Sequence, residues 1–278
     1  MRAVSLPLLI SLVLLSGSGT MGQSRQDGSM ELVDPATLRV CADPRNLPFS
    51  NEAGEGFENK IAELLAQRLG KGLAYVYYPN TTGFVRNTLN ARRCDIIMGI
   101  PQGDDIVQVT NPYYRTSYAV VAKLGSEIAA IDDLADPRLK GKRIGIVAGT
   151  PPATNLAVNG LLDNVKSFPL VVDTRFDSPA AAMIEDLEED RIDAAILWGP
   201  MAGFFAKHSK LPLKVTALLK EKSGPRMVYR IAMGVRSSDQ NWKRQLNKFI
   251  AENTAEITQI LLSYGVPLLD ENNAVIVH

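Results

Sequence analysis

RIDAAILWGP, residues Arg191 to Pro200, repeats a phrase written earlier in the chain as RCDIIMGIP, residues Arg93 to Pro101. Each copy runs through a basic residue, one spacer, an Asp, an apolar stretch, and then Gly and Pro. A short continuous apolar run bounded by turn residues reads as a strand buried on both faces, as in a parallel sheet. Ahead of the first copy, LRVCA (Leu38 to Ala42) alternates in β-formers. GFENKIAELLAQRLG then places Phe57, Ile61, Leu64, Leu65 and Leu69 at helical spacing, with Gly70 as the stop. Tyr75 to Tyr78 predict the next strand, and GFVRNTLNARR predicts a second helix. The order is β-α-β-α-β, the opening of an open α/β lobe. Ahead of the second copy the same series returns: KRIGIVAGT as strand and loop, TPPATNLAVNGLL as helix, LVVDT as strand, and SPAAAMIEDLEEDR as amphipathic helix. The phrase repeats because the lobe repeats.

The tail closes the layout. RMVYRIAMGV (Arg226 to Val235) predicts a further strand, and QNWKRQLNKFIAENTAEITQILLSYG is helical. With crossings near Tyr118–Lys123 and Arg226–Ile231, the chain leaves the first lobe, builds the second and returns. The expected division is a leader over 1–22, the first part of lobe one over 36–122, lobe two over 123–225, and a return segment with C-terminal helices over 226–278. In open α/β sheets, ligands sit beyond the carboxyl ends of the strands. Those ends are the loops DPRNLPFSN, GIPQGDD, AGTPP and LWGP, which predict a cleft between two lobes joined by a hinge of two crossing strands.

Bulk composition excludes several classes. Hydrophobic residues are 46% and charged residues 22%, the profile of a globular protein with a substantial core. Lys plus Arg balance Asp plus Glu at 30 each, so no net field draws the chain to nucleic acid or anionic lipid, and no basic stripe with interleaved aromatics is visible. Arg2, the apolar run SLPLLISLVLL (Ser5 to Leu15) and the small polar stretch SGSGTMGQS have the layout of a secretory signal peptide, with the mature start near Gln23. That run is shorter than the ~20 apolar residues of a membrane span, so the expectation is an exported, periplasmic protein without an anchor. Cys41 and Cys94 are the only cysteines; they read either as one disulfide or as two buried thiols behaving as small apolar side chains. With no neighbouring His they do not make a zinc site, and neither a metal nor a cofactor is expected.

At this point the residues resemble the type II periplasmic solute-binding proteins, through LRVCADPRNLPF, GFENKIAELLAQRLG, CDIIMG, NPYY, LKGKRIGIVAGT and RIDAAI in that order across nearly the whole mature chain. The wording CADPRNLPFSN, GFVRNTLNARRCDIIMGIPQGDD and NPYYRTSY is further similar to the branch associated with quinoprotein dehydrogenases, the J accessory proteins of methanol oxidation. The resemblance implies a non-enzymatic accessory protein of a pyrroloquinoline-quinone dehydrogenase. Its partners would be the dehydrogenase, with the associated cytochrome c as a further candidate, and it would act by binding the enzyme or aiding its maturation. The alternatives are a transporter's solute receptor for a small ligand other than an amino acid, and a small lyase.

The resemblance also implies where charged grips belong. Amino-acid receptors of this fold hold the α-carboxylate with an Arg after the CDIIMG-type strand and with amides at the AGT turn, and they hold the ammonium with an Asp after the RIDAAI-type strand. Here GIPQGDDIVQVT has no Arg, Pro151 and Pro152 remove two N–H donors, and Trp198 stands near the Asp position. Gly149 supplies a turn and Thr150 a helix N-cap. Trp198 either stacks on a ligand or packs. Asp43 either accepts a ligand hydrogen bond or serves turn chemistry before Pro44, and Asn46, Phe49 and Gln102 join the candidate lining from the strand-end loops. Tyr113 and Arg115 either line the cleft or brace the hinge. The two histidines, His208 and His278, offer almost nothing for a nucleophile–base pair, which leaves Asp43, Asp104, Asp105 and Asp177 as the carboxylates of the lyase reading.

Overall fold

The structure, a computed structural model, describes residues 31–103 and 105–276; the expected leader lies outside the described residues. The first lobe opens with β1 (Thr37–Ala42), a small hairpin of β2 (Arg45–Asn46) and β3 (Ser50–Asn51), α1 (Phe57–Leu69), β4 (Gly72–Tyr77), a short α2 (Phe84–Asn87) and β5 (Ile96–Pro101). The 16-residue β6 (Gln108–Lys123) then runs into the second lobe. That lobe holds β7 (Ile144–Val147), α3 (Pro151–Val158), β8 (Val165–Phe168), α4 (Pro179–Glu188), β9 (Ala194–Trp198), α5 (Gly199–Lys207) and β10 (Leu213–Ala217). The chain returns through β11 (Val228–Val235) and finishes with α6 (Gln240–Glu252) and α7 (Thr254–Ser263).

Strand order in the first sheet is β4-β1-β5-β11-β6, with β1 parallel to β4 and β5, and β11 antiparallel to β5 and β6. In the second, β7 is parallel to β8 and β9, while β9 and β10 run antiparallel to β6. The partners of β6 change between Ser117, which pairs with Val228, and Tyr118, which pairs with Trp198. One strand thus belongs to both sheets. Helix α1 forms as its periodicity demands: Phe57, Ile61 and Leu65 are wholly buried, and Gly70 ends it in the left-handed conformation at φ 63°.

The repeated Asp has the same structural duty in both copies. Asp95, at the amino end of β5, takes Arg39 of β1 in a bidentate pair at 2.7 and 2.7 Å, while its own N–H donates to the Arg39 carbonyl. Asp193, at the amino end of β9, takes the Arg143 guanidinium at 2.5 and 3.2 Å and its N–H at 2.8 Å, and returns its own N–H to the Arg143 carbonyl. Each phrase therefore fixes one parallel strand to its neighbour with a carboxylate clamp. The clamps differ in burial. Asp95 is fully buried and also pairs with Arg236, which pairs in turn with buried Asp239, whereas the Asp193 side chain is 31% exposed.

Four local expectations change. The helix expected over GFVRNTLNARR stops at Asn87, because Thr88 leaves helical angles and spends its hydroxyl on the Phe84 carbonyl. Arg92 then takes φ 58° and Cys94 is delivered to a disulfide with Cys41, at a Cα separation of 5.4 Å. LVVDT is not a strand: β8 lies earlier and ends before Pro169, which has no N–H for a ladder, leaving Leu170 and Val171 exposed. The Gly-Pro endings are not loops. Gly99 lies inside β5, and Gly199-Pro200 opens α5 directly, with Pro in the first turn where its missing N–H costs nothing. The long C-terminal helix is two helices, broken at Asn253, which accepts a hydrogen bond from Arg68 of α1.

Candidate functional site

Between the lobes, beyond the carboxyl ends of β1, β5, β7 and β9, lie two adjoining cavities of about 820 and 710 Å³. They share Asn46, Asn80, Thr81, Thr82, Trp198 and Met201, so they are two compartments of one cleft. A carboxyl of the first lobe reaches across it. Asp43, just past β1 and 3% exposed, accepts from the Arg45 N–H at 2.8 Å and the Asn80 N–H at 2.6 Å. The Thr174 hydroxyl, from the segment between β8 and α4, donates to the same carboxylate at 3.1 Å. Asp43 thus organises the turn at Arg45, as its turn reading expects, and ties one wall of the cleft to the other.

Trp198 ends β9 on the floor shared by both compartments and is half-buried. Its indole packs edge-to-face with Tyr118 at 5.1 Å and Tyr229 at 5.6 Å between ring centroids, and these two rings meet each other at 6.2 Å. The triad sits where β6 passes between the sheets. Packing and cleft lining are thus both true of Trp198: its edges meet the hinge strands and part of its surface faces the cavity.

Of the other candidate residues, Asn46 faces both compartments, Phe49 lines the smaller one and packs on Phe57 at 5.3 Å, and Thr150 lines the larger. Gly149 makes the turn after β7 with φ 75°. Thr150 occupies the N-cap position of α3, but its hydroxyl donates backwards to the Val147 carbonyl at 2.6 Å instead of accepting from the helix. Three candidates lie elsewhere. Tyr113 is buried in the core with its hydroxyl on the Met98 carbonyl. Gln102 and Arg115 line a separate small depression beside Arg226 and Arg230.

Glu58 was not singled out by the sequence. It lies in the first turn of α1, a position where an acidic residue is ordinarily explained by the helix dipole. Here its carboxyl points into the smaller compartment above Gly99, where a Cβ would stand 2.4 Å from Oε1. It forms no hydrogen bond among the described residues. Burial pushes its pKa up to about 8, with the nearby Asp43 charge adding to the effect, so the group is mostly a neutral acid at pH 7. The buried floor of the cleft accordingly carries an internally bonded carboxylate, a protonated acid and aromatic rings. Charged groups that remain, Arg45, Arg86 and Asp177, are all exposed at the rim, and Arg175 is paired with Asp173 at 2.6 Å. The lyase carboxylates are dispersed: Asp105 is exposed, Asp177 lies on the far wall from Asp43, and Asp104 is outside the described residues.

Residues 38–266 match the family of bacterial extracellular solute-binding proteins, family 3. Protein MoxJ of Paracoccus denitrificans is 28% identical over 256 residues, spanning 87% of this chain and 92% of that protein. Among solved structures, the periplasmic binding protein XoxJ from Methylobacterium extorquens AM1 is 44% identical with a TM-score of 0.73, covering 84% of this chain and 100% of that one. MxaJ from Methlophaga aminisulfidivorans MPT is 25% identical with a TM-score of 0.71 and the same two coverages. Among the described residues, no helix is long and apolar enough to cross a membrane.

Proposed function

The chain belongs to the bacterial extracellular solute-binding proteins, family 3, in the branch of XoxJ and MxaJ, and from that premise we propose that it is a non-enzymatic periplasmic accessory protein of a quinoprotein methanol dehydrogenase system. It acts by holding the dehydrogenase, or a segment of it, and not by feeding a transporter. The observation that carries this reading is the floor of the cleft. A free α-amino acid needs a guanidinium for its carboxylate and a carboxylate for its ammonium, both in the desolvated interior. Here the strand end of the second lobe offers Trp198, the first turn of α3 starts with two prolines, and Asp43 is already bonded on three sides. A buried ammonium without its partner charge costs about 3–5 kcal/mol, or roughly two to four decades of affinity.

Calorimetry of the mature protein with each common amino acid tests the first half; binding of any of them at micromolar concentration overturns it. Co-purification with the dehydrogenase of the same organism, and dehydrogenase activity in a strain lacking this protein, test the second. Absence of association together with unchanged activity sinks the accessory reading. A second reading, a receptor for a neutral, aromatic or cationic solute, is favoured by the cavity volumes, which fall within the ~300–1,000 Å³ of ordinary ligand sites. It requires ligand-dependent tightening of the radius in solution scattering.

A further inference from the structure

Gln102 and Arg115 sit together away from the cleft, with Arg226, Val228 and Arg230, around a depression of about 210 Å³. It lies on the paired strands β6 and β11, on the face opposite the aromatic triad, since Val228 and Arg230 alternate with Tyr229. In the ladder, Arg115 stands directly opposite Arg230. Like charges facing each other across an antiparallel pair destabilise it, so the arrangement needs a counter-charge. None is present among the described residues: no ion pair involves Arg115, Arg226 or Arg230. Arg115 is oriented by neutral acceptors, the Glu271 carbonyl and the Asn273 side chain, both at 2.8 Å. Arg226 lies over the Tyr229 ring at 4.7 Å. Arg115 and Arg230 therefore face each other on the paired strands, Arg226 lines the same depression from the segment before β11 with its guanidinium against Tyr229, and none of the three has a carboxylate partner among the described residues.

We propose that this face docks an acidic, carboxylate-bearing segment of a protein partner onto Arg115, Arg226 and Arg230. Size and exposure select that occupant over a free anion. The depression is smaller than ordinary small-ligand sites of ~300–1,000 Å³, and Arg226 and Arg230 are exposed, so a lone anion there stays hydrated and screened. A protein segment gains by reaching all three guanidinium groups while its remaining surface supplies further contact. Guanidinium forks match carboxylates in bidentate geometry, and the β6–β11 ladder holds Arg115 and Arg230 in place. The proposal rests on the accessory-protein reading for the identity of the partner, though not for its chemistry.

The test compares the mature protein with the double variant Arg226→Gln/Arg230→Gln, and with Arg138→Gln, whose arginine lies outside this face. Affinity is measured for two probes, the dehydrogenase of the same organism and a hexaglutamate peptide, at low and high salt, with citrate as the free-anion control. The expected result is about a tenfold loss of affinity for both probes in the double variant at low salt, shrinking at high salt, with Arg138→Gln unchanged. If the dehydrogenase binds the double variant undiminished, the docking face is elsewhere although the partner reading stands. If no form binds the dehydrogenase but peptide binding still depends on the arginines, the partner reading fails and the acidic-segment site survives. Citrate binding as tightly as the peptide, or no binding of either probe, overturns the proposal.

Discussion

The protonated acid in the cleft makes a quantitative prediction about pH. Glu58 titrates near 4.5 in an unfolded chain and near 8 in the folded protein. Between those values the native state holds a proton that the unfolded state releases, so stability falls as pH rises through the window and stays lower above it. Each unit of pKa difference is worth about 1.4 kcal/mol, which gives about 5 kcal/mol for full ionisation in the folded state. Glu58 keeps part of its surface open to the cleft, and water there brings the expected difference nearer to about 3 kcal/mol. Asp43 is the charged neighbour that sets the sign of the additional shift, and it is unchanged when Glu58 is replaced.

Urea unfolding of the oxidised protein and of Glu58→Gln at several pH values from 5 to 9 isolates this term, because every other titrating group cancels in the difference. The variant should be near wild type at pH 5 and more stable by about 3 kcal/mol at pH 9. Gly99→Ala provides an independent control. Its methyl group would collide with Oε1, so the carboxyl must move towards solvent and the pH dependence of the wild-type glutamate should shrink. Parallel stability curves for wild type and Glu58→Gln across the whole range would falsify the assignment of a neutral buried acid.

Three further outcomes are expected. Asp95→Asn should cost about 3–5 kcal/mol in chemical denaturation because it leaves Arg39 and buried Arg236 without their shared carboxylate, whereas Asp193→Asn, at a partly exposed clamp, should cost about 1 kcal/mol; equal costs refute the distinction. Reduction of Cys41–Cys94, which closes a separation of 53 residues, should lower stability by about 4 kcal/mol, and an unchanged urea midpoint in reductant counts against a structural role for the bond. Trp198→Ala should lower stability by about 2 kcal/mol and quench most of the fluorescence change on any cleft occupancy, since the other tryptophan, Trp242, is buried in the first lobe; an occupant that still reports through Trp242 alone contradicts this.

What was legible in the sequence follows from the range over which each signal acts. Helix α1 and strands β1, β5, β7 and β9 announce themselves in periodicity and apolar runs, which are properties of neighbouring residues. The early end of α2 turns on a hydroxyl at Thr88 bonding back to Phe84, and β8 was placed too late because Leu170 and Val171 look like strand residues although Pro169 has already stopped the ladder. The role of the repeated Asp was out of reach because its partner lies on another strand. A signal was nevertheless present: Arg39, within β1, and Arg143, just ahead of β7, are each followed by an apolar residue, so that Arg and Asp recur as a pair in both lobes. Glu58 offered no such cue. Nothing in GFENK distinguishes an acid serving the helix dipole from one pressed into a cavity; only the bare backbone of Gly99 opposite makes the difference.

The two copies of the phrase share a clamp and differ in what they carry to the cleft. At the amino end of each strand an Arg–Asp pair fixes parallel neighbours, which sets both lobes on the same plan. At the carboxyl end the requirement changes. In the first copy the chain thins to Gly99, and the space is taken by a carboxyl from α1 that is kept neutral by its surroundings. In the second it thickens to Trp198, and Gly199 beside it lets α5 start against the Ser117 carbonyl, where a Cβ would stand 2.4 Å from the oxygen. Neither strand end places a charged side chain of its own on the floor, which keeps hydrogen-bonding and aromatic surface beside the bonded Asp43 carboxylate. An occupant suited to such a floor is one whose charges stay outside, at Arg45, Arg86 and Asp177 on the rim, and a side chain presented on a folded partner meets that condition where a free zwitterion does not.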